Sequence, residues 1–160
     1  MAESPAASFP PHANADAAPD VVVRSTGTAF VQQATAGRHQ FTIDEPVSYG
    51  GTDMAATPYD LLLAALGSCT SMTIGLYARR KGMPLENVTV SLWHSKIHAT
   101  DCAECETRVG RIDRIDIAIE LTGALSDQQR TRLVEVAKLC PVHRTLTSEI
   151  NIRFKDAKAH

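Results

Sequence analysis

Aromatic residues are scarce in this sequence, and its charges are nearly balanced. Phe, Trp and Tyr make up 5% of its 160 residues, so a platform for stacking nucleic-acid bases is not expected. The formal net charge of −2 gives no electrostatic reason to expect nucleic acid or an anionic membrane as a partner. A phosphate-binding Gly-rich loop and a Gly-x-Ser-x-Gly elbow are also missing. We therefore expect neither a nucleic-acid-binding protein nor an enzyme that relies on either motif.

The first twenty residues lack the features of a secretory signal. They have no basic start and no apolar segment, and they include Glu3, Asp16 and Asp20. Their richness in Ala, Pro and Ser predicts a disordered tail over residues 1–20, followed by a single domain over residues 21–160. Four cysteines without a secretory signal favour reduced thiols and a cytoplasmic location.

Residues 57–82 predict one long helix around which the rest of the chain is organised. Thr57 is a suitable N-cap, and Pro58 suits the first helical position because its missing N–H has no helical partner there. The spacing of Thr57 and Asp60 is that of a capping box. A run of three basic residues and then Gly82 predict the end of the helix.

The interior of this helix, Leu61–Ala78, carries no charge. Its apolar residues lie all round the helix, which predicts burial on every side. Its length reaches that of a membrane span, but Ser and Thr dilute it and no second such segment follows, so we expect a core helix. Cys69 lies in the middle, among small residues that allow another backbone to approach closely: Ala64, Ala65, Gly67, Ser68, Ser71 and Gly75.

Alternating apolar patterns predict strands on both sides of the long helix. A second helix is predicted over 126–140, where Ser126 and Gln129 have capping-box spacing. A slip in the alternation between Ile112 and Ile115 indicates a β-bulge. The strands are expected within 21–33 and over 39–44, 87–98, 109–122 and 149–154, with turns at 34–37 and 143–147. The order β-β-α-β-β-α-β predicts an α+β fold with antiparallel sheets.

Cys69 and Cys140 are the first candidates for chemistry. They are 71 residues apart, so only the fold can bring them together. If they meet, one thiolate can attack a peroxide O–O bond and the other can resolve the resulting sulfenic acid as a disulfide. The attacking thiol then needs nearby positive charge or hydrogen-bond donors, for which His143 and Arg144 are the nearest groups in sequence. The alternative is that both cysteines are small buried apolar residues.

Cys102 and Cys105 form a separate Cys-x-x-Cys motif in a predicted loop. Together with His94 or His98 they could provide ligands for zinc. A second redox dithiol, which relays electrons to Cys69 and Cys140, is another interpretation. The third is an inert loop pair that is disulfide-bonded after purification in air.

Two motifs of this sequence resemble the OsmC/Ohr family of osmotically inducible and organic hydroperoxide resistance proteins. One is Gly50-Gly51 followed by Thr-Pro-Tyr-Asp-Leu-Leu-Leu-Ala-Ala-Leu-Gly-Ser-Cys69, and the other is Cys140-Pro-Val-His143. The resemblance extends over roughly residues 21–155. It implies a small α+β fold that forms an intertwined homodimer, with two central helices and with sites at the subunit interface.

The resemblance also implies an activity. It implies thiol-dependent reduction of organic hydroperoxides without a metal or bound cofactor, with recycling by an external dithiol such as a lipoylated protein. Carried over to this sequence, Cys69 matches the peroxidatic cysteine and Cys140 the resolving cysteine.

The sequence departs from the best-studied branches of the family at the start of the long helix. Those branches have Asn-Pro-Glu, and the Glu orients an Arg over the reactive sulfur. Here Tyr59 takes that position and the acid follows at Asp60, about 100° further round the helix. Asp60 is therefore a candidate for capping as well as for catalysis, and Arg38 is the candidate partner arginine. The departure also leaves a non-catalytic protein that binds a small apolar ligand between the central helices as an alternative.

Overall fold

A computed structural model describes residues 18–154. It contains antiparallel sheets and three α-helices, which confirms the predicted α+β class. The tail predicted over residues 1–20 lies almost entirely outside the described residues. The elements are β1 (Val21–Ser25), β2 (Gln32–Ala36), β3 (His39–Ile43), α1 (Pro58–Arg80), β4 (Leu85–His98), β5 (Arg111–Gly123), α2 (Asp127–Ala137) and α3 (Pro141–Leu146).

The chain forms two compact units that divide after Leu62. The first unit contains a three-stranded antiparallel sheet in the order β1-β2-β3. Ala36 pairs with His39, so the β2–β3 turn consists of Gly37 and Arg38, and Gly37 adopts a φ of 58° that glycine tolerates well. The turn predicted at 34–37 is therefore wrong in position, because Ala34 is a fully buried residue in the middle of β2.

The second unit contains a long antiparallel hairpin of β4 and β5. The predicted alternation along β4 is confirmed, since Val88, Val90 and Leu92 are partly buried and Trp93 is exposed. The bulge predicted between Ile112 and Ile115 is wrong, because the register runs through both residues without a shift. The shift lies at the other end of the hairpin, between Leu85 and Asn87.

Helices α1 and α2 pack on this hairpin and form the core of the second unit. Four fully or nearly fully buried residues define its centre: Ile74, Ala78, Leu133 and Ala137. The capping box predicted for α2 is present, with Ser126 Oγ accepting from Gln129 N and Gln129 Oε1 accepting from Ser126 N. The Arg130 guanidinium donates to the carbonyls of Leu121 and Gly123, which ties α2 to the end of β5.

Helix α1 buries one side rather than its whole circumference. The buried stripe has a four-residue period and consists of Leu66, Thr70, Ile74 and Ala78, with Gly67 beside it. The prediction of burial on every side is therefore wrong for the single chain. Within residues 18–154, α1 is the one helix whose length and apolar composition would also suit a membrane span. Core helices of soluble proteins have a similar length and composition, so these properties of α1 are only weak evidence for a membrane span.

The end of the described chain differs from the prediction. The turn predicted at 143–147 is a short helix, α3, which begins at Pro141. The strand predicted over residues 149–154 is wrong, since that segment has no regular structure. Its alternating apolar residues, Ile150, Ile152 and Phe154, are exposed. Alternation alone does not make a strand without a neighbouring strand to pair with.

Candidate thiol site

Two cysteines that are distant in sequence meet in the second unit. Cys69 lies in the middle of α1 and is partly buried, whereas Cys140 directly precedes α3 and is fully buried. Both are free thiols, and the Cys140 side chain is near enough to Cys69 to raise the pKa of its thiol. The fold therefore brings Cys69 and Cys140 together, which the sequence alone could not establish.

The surroundings of Cys69 favour its thiol form over the thiolate. Burial raises the pKa of the Cys69 thiol, and the hydrogen bond and charge interaction with Cys140 raise it further. The Val142 backbone N–H and the Thr73 hydroxyl act in the opposite direction and lower this pKa, and the Thr73 hydroxyl donates its hydrogen bond to the Cys69 backbone carbonyl at 2.8 Å. The described chain thus offers the sulfur one backbone donor, the Val142 N–H, but it does not provide the low pKa expected of an attacking thiol.

Cys140 is held by the first turn of α3. It is the N-cap residue, and its Sγ accepts a hydrogen bond from the backbone N–H of His143 at 3.5 Å. Pro141 occupies the first helical position, where it fixes φ without removing a needed donor. The Nδ1 atom of His143 is buried and has no hydrogen-bond partner among the described residues. His143 therefore has a free ring nitrogen three residues from the Cys140 thiol.

Two other candidate residues, Arg38 and Asp60, lie in the first unit. Arg38 is an exposed residue of the β2–β3 turn. The Asp60 carboxylate accepts from Thr57 N at 2.9 Å and from Thr57 Oγ1 at 2.8 Å, and Asp60 N donates to Thr57 Oγ1 at 3.1 Å. These bonds form the predicted capping box and lower the pKa of Asp60, the backbone N–H having the larger effect. The carboxylate is thus engaged in starting α1.

The Cys-x-x-Cys motif is closed as a disulfide between Cys102 and Cys105. Within residues 18–154, no group of three His, Cys, Asp or Glu side chains is arranged to hold a metal ion. The His94 ring instead bonds through Nε2 to Asp113 Oδ1 at 2.8 Å. The zinc alternative therefore has no support in the described part of the chain.

Sequence reasoning found both thiols but missed the donors that contact Cys69. Thr73 follows Cys69 by one helical turn, so a search for polar residues on the same face would have found it. Val142 contributes a backbone N–H in the first turn of α3, where helical N–H groups lack intrahelical acceptors. Because Pro is favoured at the first position of a helix, the Cys140-Pro141 pair could have predicted the start of α3 from the sequence.

Solved structures with this fold come from several bacteria. A protein from Psychrobacter arcticus is 23% identical, with a TM-score of 0.64 over 81% of this chain and 88% of its own. An OsmC-like protein from Mycoplasma pneumoniae is 22% identical, with a TM-score of 0.61 over 82% and 88%. The organic hydroperoxide resistance protein OsmC from Legionella pneumophila is 21% identical, with a TM-score of 0.59 over 84% and 92%.

At these identities the structures show a shared fold and no more. No curated protein matches the sequence. The model of the OsmC-like protein family matches residues 51–155, which include both thiols of the site. This match extends over more than half of the sequence, and the chain therefore belongs to the OsmC-like protein family.

Proposed function

We propose that this protein is a thiol peroxidase that reduces organic hydroperoxides with Cys69 as nucleophile and Cys140 as resolving cysteine. It acts in the cytoplasm as a homodimer and is recycled by an external dithiol, such as a lipoyl group on another protein. The observation that carries the proposal is the meeting of two free thiols from α1 and the start of α3. Family membership and the name of the Legionella relative support it.

The proposed cycle has three steps that balance in atoms and electrons. The Cys69 thiolate attacks the distal peroxide oxygen, the O–O bond breaks, and the products are Cys69 sulfenic acid and an alkoxide that takes a proton to become the alcohol. The Cys140 thiol then attacks the sulfenic sulfur, which forms the Cys69–Cys140 disulfide and releases water. A dithiol finally transfers two electrons and two protons to this disulfide and is itself oxidised to a disulfide.

Both cysteines must lose a proton during the cycle, and the site contains groups that favour each deprotonation. Cys69 must lose its proton although its pKa is raised, and the Val142 N–H and the Thr73 hydroxyl favour the thiolate. The resolving Cys140 must also lose a proton, for which the free Nδ1 of His143 is the nearest identified acceptor in sequence. We propose Arg38 and Arg144 as sources of positive charge in the assembled dimer, and a positioning role at the start of α1 for Asp60.

The direct test is to add one equivalent of cumene hydroperoxide to the reduced protein and then map cysteines by mass spectrometry. The wild type should consume the peroxide and gain a Cys69–Cys140 disulfide. The Cys69→Ser variant should lose at least about 1,000-fold in rate, because the nucleophile is absent. The Cys140→Ser variant should still consume one equivalent but stop at a sulfenic acid that dimedone traps.

The matched control is the double variant Cys102→Ser/Cys105→Ser, which should react like the wild type. Peroxide consumption that survives Cys69→Ser would overturn the proposal. The pH profile tests the activation argument, because a raised pKa makes the thiolate fraction grow with pH. The rate should therefore still rise between pH 7 and pH 9, whereas a plateau below pH 7 would show that the assembled protein supplies charge that the single chain does not.

A second candidate function is the binding of a small ligand without catalysis. A cavity of about 230 Å³ lies between α1 and the start of β4, and it is lined by Ser71, Gly75, Ala78, Arg79, Met83, Leu85, Glu86, Asn87 and Val88. Its mixture of apolar floor and charged rim would suit a small amphipathic molecule. Under this alternative, Cys69→Ser would leave function unchanged, so the same variant decides between the two candidates.

A further inference from the structure

The loop between β4 and β5 carries a disulfide that the proposed peroxidase cycle does not use. Cys102 and Cys105 are three residues apart, with Cα atoms 5.4 Å apart. The loop is also held by hydrogen bonds from Ala99 N to Gly110 O at 2.9 Å and from Cys102 N to Ala99 O at 3.3 Å. Ladder pairing of β4 and β5 extends up to His98 and Arg111. The base of the loop is therefore fixed without the disulfide.

A structural role explains this disulfide poorly. The stabilisation by a disulfide grows with the number of residues in the loop that it closes, and this ring contains four residues. A bond across so short a ring restricts the unfolded chain least. Both cysteines are partly exposed on a surface loop, in contrast to the fully buried Cys140. Access for an attacking thiolate is the main structural requirement for exchange, and this loop meets it better than Cys140 does.

The loop disulfide is also separated from the Cys69 site within one chain. Gly67, two residues before Cys69, packs against Leu92 in β4. The six residues from Leu92 to His98 continue as extended strand, which corresponds to about 20 Å. Direct exchange requires Cα atoms within about 7 Å. A relay from this loop to Cys69 of the same chain therefore lacks the necessary contact.

We propose that Cys102 and Cys105 form a second, independent thiol–disulfide exchange centre that reacts with an external dithiol. A thiolate of that dithiol attacks one loop sulfur, which breaks the Cys102–Cys105 bond and forms a mixed disulfide. The second thiol of the reagent then displaces the loop cysteine. Two electrons and two protons pass to the loop, and the reagent leaves as a disulfide. The reverse reaction returns them to an oxidised partner.

The charges around the loop indicate which dithiols react best. Asp101, Glu104 and Glu106 are exposed and lie within six residues, and Arg108 is the next cation along the loop. This excess of negative charge repels anionic thiols and attracts cationic ones over about one Debye length. We therefore expect the reaction partner to be a dithiol whose neighbouring groups are neutral or positively charged.

The test uses the full-length wild type in buffers of reduced and oxidised dithiothreitol, without peroxide. Differential alkylation followed by peptide mapping reads the Cys102–Cys105 peptide separately from Cys69 and Cys140. We expect the loop disulfide to open and close reversibly within minutes in the folded protein, and equally in Cys69→Ser. A disulfide that is reduced only after unfolding in guanidinium would overturn the proposal. Because no peroxide is present, failure of the peroxidase reaction does not affect this result.

Thiols of different charge test whether the loop disulfide prefers a cationic partner. Cysteamine, 2-mercaptoethanol and glutathione are cationic, neutral and anionic thiols, and initial opening rates should decrease in that order once corrected for thiolate concentration. The double variant Glu104→Gln/Glu106→Gln should reduce the spread between cysteamine and glutathione by at least about threefold, as should 1 M salt. The matched control Glu120→Gln changes an exposed carboxylate of β5 and should leave the spread unchanged. An unchanged spread in the loop variant would refute the preference for a cationic partner.

Discussion

Asp44 is a buried carboxylate that holds together the loop after β3. Its side chain is 1% exposed, and its Oδ2 accepts from Thr52 N at 2.9 Å, from Thr52 Oγ1 at 2.6 Å and from Met54 N at 3.3 Å. The Thr52 hydroxyl is the main reason why the pKa of Asp44 is lowered from 3.8 to about 2, although burial opposes it. The same loop leads to Thr57 and the start of α1, so this carboxylate helps to position the helix start.

The bonds of Asp44 predict a pH-dependent effect of Thr52→Val. A carboxyl whose pKa is lower in the folded than in the unfolded protein contributes stability above pH 3.8, and that contribution is lost as the pH falls towards 2. Removal of the hydroxyl raises the folded-state pKa, so the variant should be less stable than the wild type at pH 7. The difference should shrink between pH 4 and pH 2, as measured by urea unfolding at a series of pH values.

The control for this prediction is Thr122→Val, which changes an exposed threonine of β5 in the same way. It should have a small effect that does not vary with pH. If Thr52→Val gave a difference that was constant from pH 7 to pH 2, the hydroxyl would not act through the Asp44 carboxylate.

At the residue scale, the two candidate cysteines were easier to predict from the sequence than the groups that surround them. Cys69 and Cys140 stood out because each lies in a distinctive motif. The effect of Val142 on Cys69, and the bond from His143 N to Cys140, depend on where the backbone N–H groups of α3 point. Asp44 gave no sequence signal, because a carboxylate at the end of a strand is ordinary until the following loop folds over it.

At the scale of elements, Gly67 is a position where α1 approaches β4 closely. A Cβ atom built on Gly67 would lie 2.7 Å from Leu92 Cδ1 and 3.9 Å from Val90 Cγ1. The first distance is too short for a normal contact, so alanine would require the Leu92 side chain to move. Since Gly67 is two residues from Cys69, this packing also sets the height of the thiol above the hairpin.

We predict that Gly67→Ala destabilises the protein by about 1–3 kcal/mol, the usual cost of overpacking a core. Leu92→Val shortens the side chain that alanine would meet, so the double variant Gly67→Ala/Leu92→Val should lose less stability than the sum of the single variants. Urea unfolding of all four proteins gives the coupling energy of this cycle. Strict additivity would show that the added methyl group is accommodated without displacing Leu92.

The helices were easier to predict than the strands for a physical reason. Helix starts are encoded locally, so Thr57 and Ser126 located α1 and α2 to within a residue. Strands need partners, and neither the bulge at Leu85/Asn87 nor the absence of a strand over residues 149–154 follows from alternation alone. The two-residue turn at Gly37 was misplaced because the preceding Ala34-Thr35-Ala36 is a poor strand sequence that its two neighbouring strands nevertheless stabilise.

At the scale of the whole molecule, residues 18–154 of the single chain leave one side of α1, its most apolar helix, uncovered. Ala65, Ser68 and Met72 are exposed at spacings of three and four residues, and Met72 is 71% exposed. An apolar helix face of this kind is normally buried against another surface. The sequence prediction of burial on every side fails for one chain, but it would be satisfied if the face packs on the same face of a second copy. This is the physical case for the proposed homodimer.

We predict that Met72→Lys disrupts this dimer. A lysine placed without a partner in an apolar interface should raise the dimer dissociation constant by at least about 100-fold. Sedimentation equilibrium at micromolar concentration measures the association, and far-UV circular dichroism shows whether the variant stays folded. Val109→Lys is the matched control, because Val109 is 86% exposed in the β4–β5 loop and its replacement should leave association unchanged.

Gly75 then shows whether the partner lies on this same face. Apart from the neighbouring backbone of α1, no atom of residues 18–154 lies within 4 Å of a Cβ built on Gly75, so alanine should stabilise the single chain by about 0.5–1 kcal/mol. If a second copy packs closely on α1, the same methyl group should instead weaken association. Loss of association in both Met72→Lys and Gly75→Ala would locate the interface on α1. A wild type that is monomeric at micromolar concentration would overturn the dimer. In that case no partner chain could lower the pKa of Cys69, and the raised pKa of the single chain would apply to the working protein.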